Sequence, residues 1–332
     1  MKSKRLLFVS VIAAVALICI GIMNIRYDRL SRYPYQDKEA RAIIEKHFSN
    51  KDIEYLIEYS IAPSTFIKYV TYEGFSIYHA DDYNFIRDKI WYLTDEEVVN
   101  IVELGRDVMS MDQLANMLLK YDSITVFHYL KHRDEYAKDS ILIDNPDEII
   151  AYVDNTHTVS TRILFENEPL TMISSSSENV VMAKTAVEPL KAMCTAIETE
   201  LGNKKTCGGL VADAGYIDYE TQKMLYLDLV EHYGDQASFY GDYPGHSEHQ
   251  LGLAIDFSVN GFKQENFEDS AQYKWLKENA HRFGFVQSYT VDKQDLTEKA
   301  ARPWHWRYVG HELAAEMYFN SLCLKETISW EE

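Results

Sequence analysis

Positive charge is the scarcest commodity in this 332-residue chain. Lys and Arg number 33 against 52 Asp and Glu, a formal net charge of −19. A phosphate backbone requires a basic face, so this balance argues against nucleic acid as a partner. It also disfavours broad adhesion to an anionic lipid surface. Cysteine is scarce too, at 4 residues. No Cys-x2-Cys pair occurs, so a cysteine-based structural zinc site is not expected. Cys19 lies in an apolar run, and Cys194, Cys207 and Cys323 remain, an odd set that does not make a full disulfide framework. Cys194 and Cys207 are close enough to bridge a helix to the loop after it, and the sequence is equally compatible with that one disulfide and with none. There is no clear internal repeat, and low complexity is confined to Ser174–Ser177.

Apolar residues are not lacking. At 46% they suffice for a proper core, and the length suits roughly two domains of ~100–200 residues. One long apolar run exists, Leu6 to Ile25, preceded by Lys2, Lys4 and Arg5. Its length matches a spanning helix of ~20 residues. It ends without the small-x-small exit of a cleaved signal peptide, and Ile18 is too bulky for a lipid-attachment box at Cys19. Residues 1–29 therefore read as an uncleaved membrane anchor, with a cleaved signal peptide as the alternative. Arg26, Arg29 and Arg32 follow the run, so orientation is taken from function rather than from flanking charge.

Residues 30–146 read as a helical domain. Ala40, Ile43, Ile44, Phe48, Ile53, Leu56 and Ile57 recur near the helical period. Pro63 suits the opening of a helix, and Thr94-Asp95-Glu96-Glu97 is a capping-box start. His47, His79, His128 and His132 read as packed or surface residues. His128 and His132 share an i, i+4 face but lack the glutamate of the zinc-protease helix motif. This domain either positions the next one or binds a partner.

Residues 147–332 carry the chemistry. A helix is expected from about Asn179 to Glu200, then a strand within Gly208–Asp213, a turn through Ala214–Asp218 and a helix through Leu229. Ser174–Ser177 reads as a loop. In the strand Leu251–Val259, Leu253, Ile255 and Phe257 point to one face, and Gly252, Ala254 and Asp256 to the other. Small residues beside Asp256 leave room above its carboxylate. A helix over Asp269–Arg282 stops at Gly284, strands follow at Phe285–Tyr289 and Trp304–Val309, and a helix closes the domain from His311. His249 and Asp256 stand at a His-x6-Asp spacing, and His305 offers a second imidazole. Two imidazoles and a carboxylate suit Zn²⁺ with one coordination position left open. His246 reads as a loop histidine or one behind the site, His281 and His311 as helix-face residues, and Trp304 and Trp306 as packing or pocket walls.

Gly215-Tyr216, Tyr219-Glu220-Thr221-Gln222, Gly245-His246-Ser247-Glu248-His249-Gln250, Gly252-Leu253-Ala254, Asp256 and Trp304-His305-x-Arg307-Tyr308-Val309-Gly310 resemble the VanY-type D-alanyl-D-alanine carboxypeptidases, zinc peptidases of the LAS group. The resemblance spans about Asp147 to Phe319. It implies an α+β fold, a small antiparallel sheet with flanking helices, here preceded by the helical domain and the N-terminal transmembrane helix. It implies His249, Asp256 and His305 as zinc ligands and Ser247 as a substrate contact, with Tyr216, Gln222 and Trp304 beside it. The substrate class would be the D-alanine-terminated stem peptide of peptidoglycan. The protein would sit in the cell membrane as a single-pass chain, its C-terminal domain outside.

Two departures from that pattern bear on catalysis. The family places its general-base Glu three residues before the last ligand, where this chain has Arg302, and a guanidinium cannot accept a proton. The family's carboxylate-clamping Arg is replaced by Ile217, and a further family Arg by Ser288. Losing a general base costs ~10²–10⁴ in rate. Arg302 is a candidate to take over the clamp. Three readings follow: a membrane-anchored zinc D,D-carboxypeptidase, a catalytically silent zinc-bearing module that binds wall peptide or a partner, and a structural ectodomain without metal.

Overall fold

The computed structural model describes residues 12–16, 28–133, 140–143, 145–159, 166–176, 180–259 and 264–328. The chain divides into two compact units, Met1–Ala115 and Asn116–Glu332. Of the apolar run Leu6 to Ile25, only residues 12–16 are described, and they are helical; the rest of the anchor expectation lies outside the described residues. Among the described residues no helix is long and apolar enough to cross a membrane.

The first unit is helical, as its periodicity indicates. It holds α1 (Lys38–His47), α2 (Asn50–Glu58), α3 (Pro63–Phe66), α4 (Ala80–Lys89) and α5 (Asp95–Gly105), and α6 (Met111–Lys120) spans the division between units. Helix starts are set by local chemistry. Asp37 caps α1, Ser49 and Asp52 form a capping box on α2, Pro63 opens α3, and Thr94 and Glu97 form the expected box on α5. Leu30, Tyr33, Ile44, Phe48, Ile53, Leu56 and Phe66 pack into one core. His79 is taken up by Glu103, with Nδ1 2.7 Å from Oε1.

The second unit opens with α7 (Ser123–His132) and two pairs of short strands. These are the parallel β1 (Ile141–Leu142) and β2 (His157–Thr158), and the antiparallel β3 (Asn167–Pro169) and β5 (Val181–Ala183). Between the members of the second pair lies β4 (Ser174–Ser175). Then come α8 (Lys184–Glu200), β6 (Leu210–Ala214), α9 (Tyr219–Tyr233), α10 (Ala237–Tyr240), β7 (Ala254–Val259), α11 (Ala271–Asn279), β8 (Phe285–Gln287), α12 (Gln294–Thr297), β9 (His305–Tyr308), α13 (His311–Asn320) and α14 (Leu324–Thr327). The central sheet is five-stranded in the order β4-β6-β7-β9-β8.

Three expectations are corrected here. The helix expected from about Asn179, a residue outside the described ones, begins only at Lys184, because Val181–Ala183 is strand and pairs with Asn167–Pro169. A short apolar run serves either period, and here a strand partner decides it. The serine run is not wholly loop, since Ser174 and Ser175 pair with Val211 and Ala212. That pairing is parallel, so the antiparallel sheet β6-β7-β9-β8 carries one parallel edge strand. The disulfide left open by the sequence is present, Cys194 to Cys207, and joins α8 to the turn before β6.

Helix α8 buries Ala186, Val187, Leu190, Met193, Cys194 and Ile197, one face at helical spacing. They pack with Leu210, Ala212, Ile255, Phe257 and Phe285 in the main core. One face of β7 is thus committed to the core, which turns Asp256 to the other.

Candidate active site

The site is assembled by strand register. Strands β7 and β9 pair antiparallel with Asp256 directly opposite His305, and Ala214 at the end of β6 faces Asp256 from the other side. Cross-strand partners hold their Cβ atoms ~4.5–5.5 Å apart, so this register alone brings carboxylate and imidazole into reach. His249 arrives on a single 3₁₀ turn, Glu248–Leu251, which ends at Gly252 in the left-handed region at φ 67°. The chain then enters β7.

His305 Nδ1 lies 2.8 Å and His249 Nε2 lies 3.2 Å from Asp256 Oδ1. One nitrogen from each histidine and one Asp256 oxygen lie within 4.8 Å of one another, the one such group of three among the described residues. The far side of each ring is fixed. His249 Nδ1 lies 2.6 Å from the carbonyl oxygen of Gly215, and His305 Nε2 lies 2.9 Å from Glu248 Oε2. Each ring thereby sets its far nitrogen on an acceptor, the orientation common to metal-ligating histidines; the near nitrogen of His305 is hydrogen-bonded to Asp256. Gly215 is required for this contact. A Cβ there would stand 2.2 Å from the carbonyl oxygen of Val181.

Glu248 is itself held. It is buried, accepts the Ser288 hydroxyl at 2.6 Å, and has Arg307 Nη1 3.6 Å from Oε1. Burial would raise its carboxyl, but Arg307 and His305 pull it below the usual range. Burial likewise works against charge on His305, yet the hydrogen bonds to Asp256 and Glu248 push it up to about 9. Asp256 is held well below the ordinary carboxylate range by the two imidazoles, against its burial. The donor set, two oriented imidazoles and an ionised carboxylate, fits a divalent ion of borderline softness.

The other singled-out residues fall into place around this group. Ser247 is buried, and its Oγ accepts from the His249 N–H at 3.3 Å, capping the turn. Tyr216 is half-buried beside Gly215, its N–H on the Val181 carbonyl at 2.7 Å, and burial pushes its hydroxyl up to about 12. Ile217, next to it, is also half-buried. Trp304 packs against the main core. Gln222 is buried, and its amide donates to the carbonyl of Asp242 at 2.9 Å, holding the loop before Ser247. His246 lies behind the site, with Nδ1 2.6 Å from the Asp154 carbonyl and Nε2 3.3 Å from Ser140 Oγ; desolvation drops it to about 4. His281 stacks on Tyr318, and His128 on His132.

Arg302 is not open to solvent. Its two terminal nitrogens fork onto the two oxygens of Asp242 at 3.1 Å each, and its guanidinium covers the Tyr289 ring at 4.6 Å. Lys299 reaches the same carboxylate at 3.1 Å. Asp242 is buried, which alone would raise it, and Arg302 and Lys299 hold it well below the carboxylate range.

Glu248, Gly215, Asp242, Lys299 and Tyr289 are the participants that sequence reading missed. Glu248 could have been suspected from its place between Ser247 and His249, with Arg307 two residues past His305 on the same face. Nothing in the sequence ties Asp242 to Arg302.

The chain is similar to several known proteins. The family model described as VanY: D-alanyl-D-alanine carboxypeptidase matches residues 179–311. The putative carboxypeptidase YodJ of Bacillus subtilis (strain 168) is 34% identical over 192 residues, covering 55% of this chain and 68% of that protein. A D-alanyl-D-alanine carboxypeptidase of Enterococcus faecalis is 46% identical over 89 residues, 27% of this chain and 32% of that one. Among solved structures, the LdcB LD-carboxypeptidase, studied for peptidoglycan recognition, is 33% identical with a TM-score of 0.52, covering 57% of this chain and 90% of that one.

Proposed function

This chain belongs to the VanY family of D-alanyl-D-alanine carboxypeptidases, and from that premise we propose that it is a membrane-anchored zinc D,D-carboxypeptidase-like protein acting on D-alanine-terminated peptidoglycan stem peptides. The observation that carries the reading is the convergence of His249 Nε2, Asp256 Oδ1 and His305 Nδ1, each ring oriented by an acceptor behind it. These three residues would hold the ion. Zn²⁺, when bound, supplies Lewis acidity toward an amide carbonyl. The chain's own residues do the rest. With an ion bound, Glu248 would hold His305 with Nδ1 toward it, and the Gly215 carbonyl would hold His249 with Nε2 toward it. Ser247 fixes the turn that carries His249, and the Tyr216 N–H rests on the Val181 carbonyl beside Gly215. The apolar run at the N-terminus would tether the site on the wall side of the membrane.

One observation favours a second reading. No carboxylate stands at position 302, and the nearby Asp242 is saturated by two cations, which makes it a poor proton acceptor. A site with metal and peptide but no turnover is the alternative: a silent module that binds wall peptide or a partner. The deciding experiment loads the full chain with zinc, offers a pentapeptide stem ending in D-Ala-D-Ala, and measures D-alanine release and zinc content together. Release abolished in His305→Ala supports the carboxypeptidase. One zinc per chain with no release supports the silent module. A chain that takes up no zinc contradicts both.

A further inference from the structure

The sheet that carries Asp256 and His305 ends at β8, an edge strand paired only with β9. Register decides where the main chain of β8 points. The Val309 N–H donates to the Gly284 carbonyl opposite it, so the next pair to exchange hydrogen bonds is Arg307 with Val286. Phe285 and Gln287 alternate with these and turn their N–H and C=O groups away from the sheet. Among the described residues these main-chain groups have no other partner. Phe285 is buried and Gln287 half-buried, and main-chain groups so placed are normally paired.

That edge opens into a cavity of about 260 Å³, lined by all three β8 residues and walled by α11 and the end of α13. Leu276, Trp306 and Met317 make it apolar. The rings of His281 and Tyr318, with centroids 3.7 Å apart, bridge its two walls. None of His249, Asp256, His305, Glu248 or Tyr216 lines it. Large apolar side chains stand in water beside its lining residues: Phe319, 76% exposed, follows Tyr318, and Val291, 72% exposed, precedes Asp292. Such exposure marks a contact surface. The charges are unequal along the cavity. Lys277 has no ion-pair partner among the described residues, and its ammonium lies 5.8 Å over the Tyr273 ring. Lys293 is taken by Glu326 at 2.7 Å, and Asp292 precedes it in the chain.

We propose that this cavity docks an extended segment of a partner protein. The segment adds a strand to β8, sets an apolar side chain against Leu276, Trp306 and Met317, and brings a carboxylate to Lys277. Main-chain groups on an edge ask for another main chain, and the apolar wall and the unpaired ammonium select its side chains. Ladder pairing at this spacing suits consecutive L-residues, which sets the occupant apart from a D-alanine-ended peptide. A second copy of this chain does not fit, because its own β8 lies equally deep between helices.

The probe is the blocked peptide acetyl-Glu-Val-Leu-Val-Thr-amide, titrated calorimetrically into the full chain. At saturation the Phe285 and Gln287 amides are expected to exchange hydrogen at least about tenfold more slowly, read by mass spectrometry with residue-level fragmentation. N-methylation at Leu and at the Val after it tests the pairing without altering the protein. Neighbouring N–H groups of a strand point opposite ways, so one form is expected to bind at least about fivefold more weakly than the other, the scale of one main-chain hydrogen bond. Lys277→Glu is expected to weaken the peptide and to leave its Gln-for-Glu version unchanged. Several results overturn the proposal: no binding of the probe, binding without slower exchange at those two amides, equal affinity of the two N-methyl forms, or displacement of the probe by a pentapeptide ending in D-Ala-D-Ala. None of them touches the metal reading, since the metal-facing residues lie outside the cavity.

Discussion

Two buried clusters meet at Tyr289, one through His305 and the other through Arg302, and they differ in what they leave over. In the first, His249 and His305 are held from behind by Gly215 and Glu248, and one nitrogen of each converges with an Asp256 oxygen. In the second, Arg302 and Lys299 close on Asp242, and one Arg302 N–H is left without a partner. The donor set of the first cluster fits a cation, whereas the second already holds a carboxylate between two cations. Side chains are immobilised in both, but immobilisation behind ring nitrogens makes a metal seat, whereas immobilisation behind a carboxylate removes a base. Position 302 therefore has meaning only together with position 242.

The most severe way to break this comparison is to reverse one member of the second cluster. Arg302→Glu sets a second carboxylate against buried Asp242 and removes its fork partner, at a cost of ~3–5 kcal/mol, the scale of a broken buried ion pair. Chemical denaturation would measure it. The double variant Asp242→Ala with Arg302→Glu is expected to recover most of that loss, and any gain in D-alanine release should appear in the double and not in the single.

A milder change separates the clusters by readout. Glu248→Gln keeps an acceptor near His305 Nε2 but removes its charge, and zinc affinity is expected to fall ~10–100-fold. Asp242→Asn, the same neutralisation in the other cluster, should lower stability while changing zinc affinity less than Glu248→Gln does. Competition with a chromophoric chelator would give both affinities.

The smallest effect concerns His246, which lies behind both clusters and faces Asp154, Lys299 and Asp242. Its folded value is depressed to about 4 from 6.5, chiefly by burial. The neutral ring therefore contributes stability that is present above 6.5 and lost as pH falls toward 4. The loss approaches ~1.4 kcal/mol per pH unit for one proton. His246→Asn should flatten the stability profile in that window; parallel profiles for the two proteins would contradict the assignment.

The convergence of Asp256 and His305 was legible in the sequence because strand alternation and register convert spacing into geometry. With Leu253, Ile255 and Phe257 in the core, Asp256 had to face away, and β9 had only to pair with β7 to set His305 opposite. The capping box at Thr94 and Glu97 was legible because its partners are three residues apart. The Asp242–Arg302 pair was not, because its members are 60 residues apart and no periodicity links them. The strand at Val181–Ala183 was hidden differently: its residues continue the apolar pattern of α8, and only the partner strand Asn167–Pro169 reveals the break. The disulfide needed the turn at Cys207, where a non-glycine residue takes φ 50°.

Metal content tests the central claim most directly. The full chain, dialysed against zinc and then against metal-free buffer, is measured by mass spectrometry beside His305→Ala treated identically. The account predicts one zinc per chain in the first and none in the second. A metal-free unaltered chain, or equal zinc in both, would contradict it.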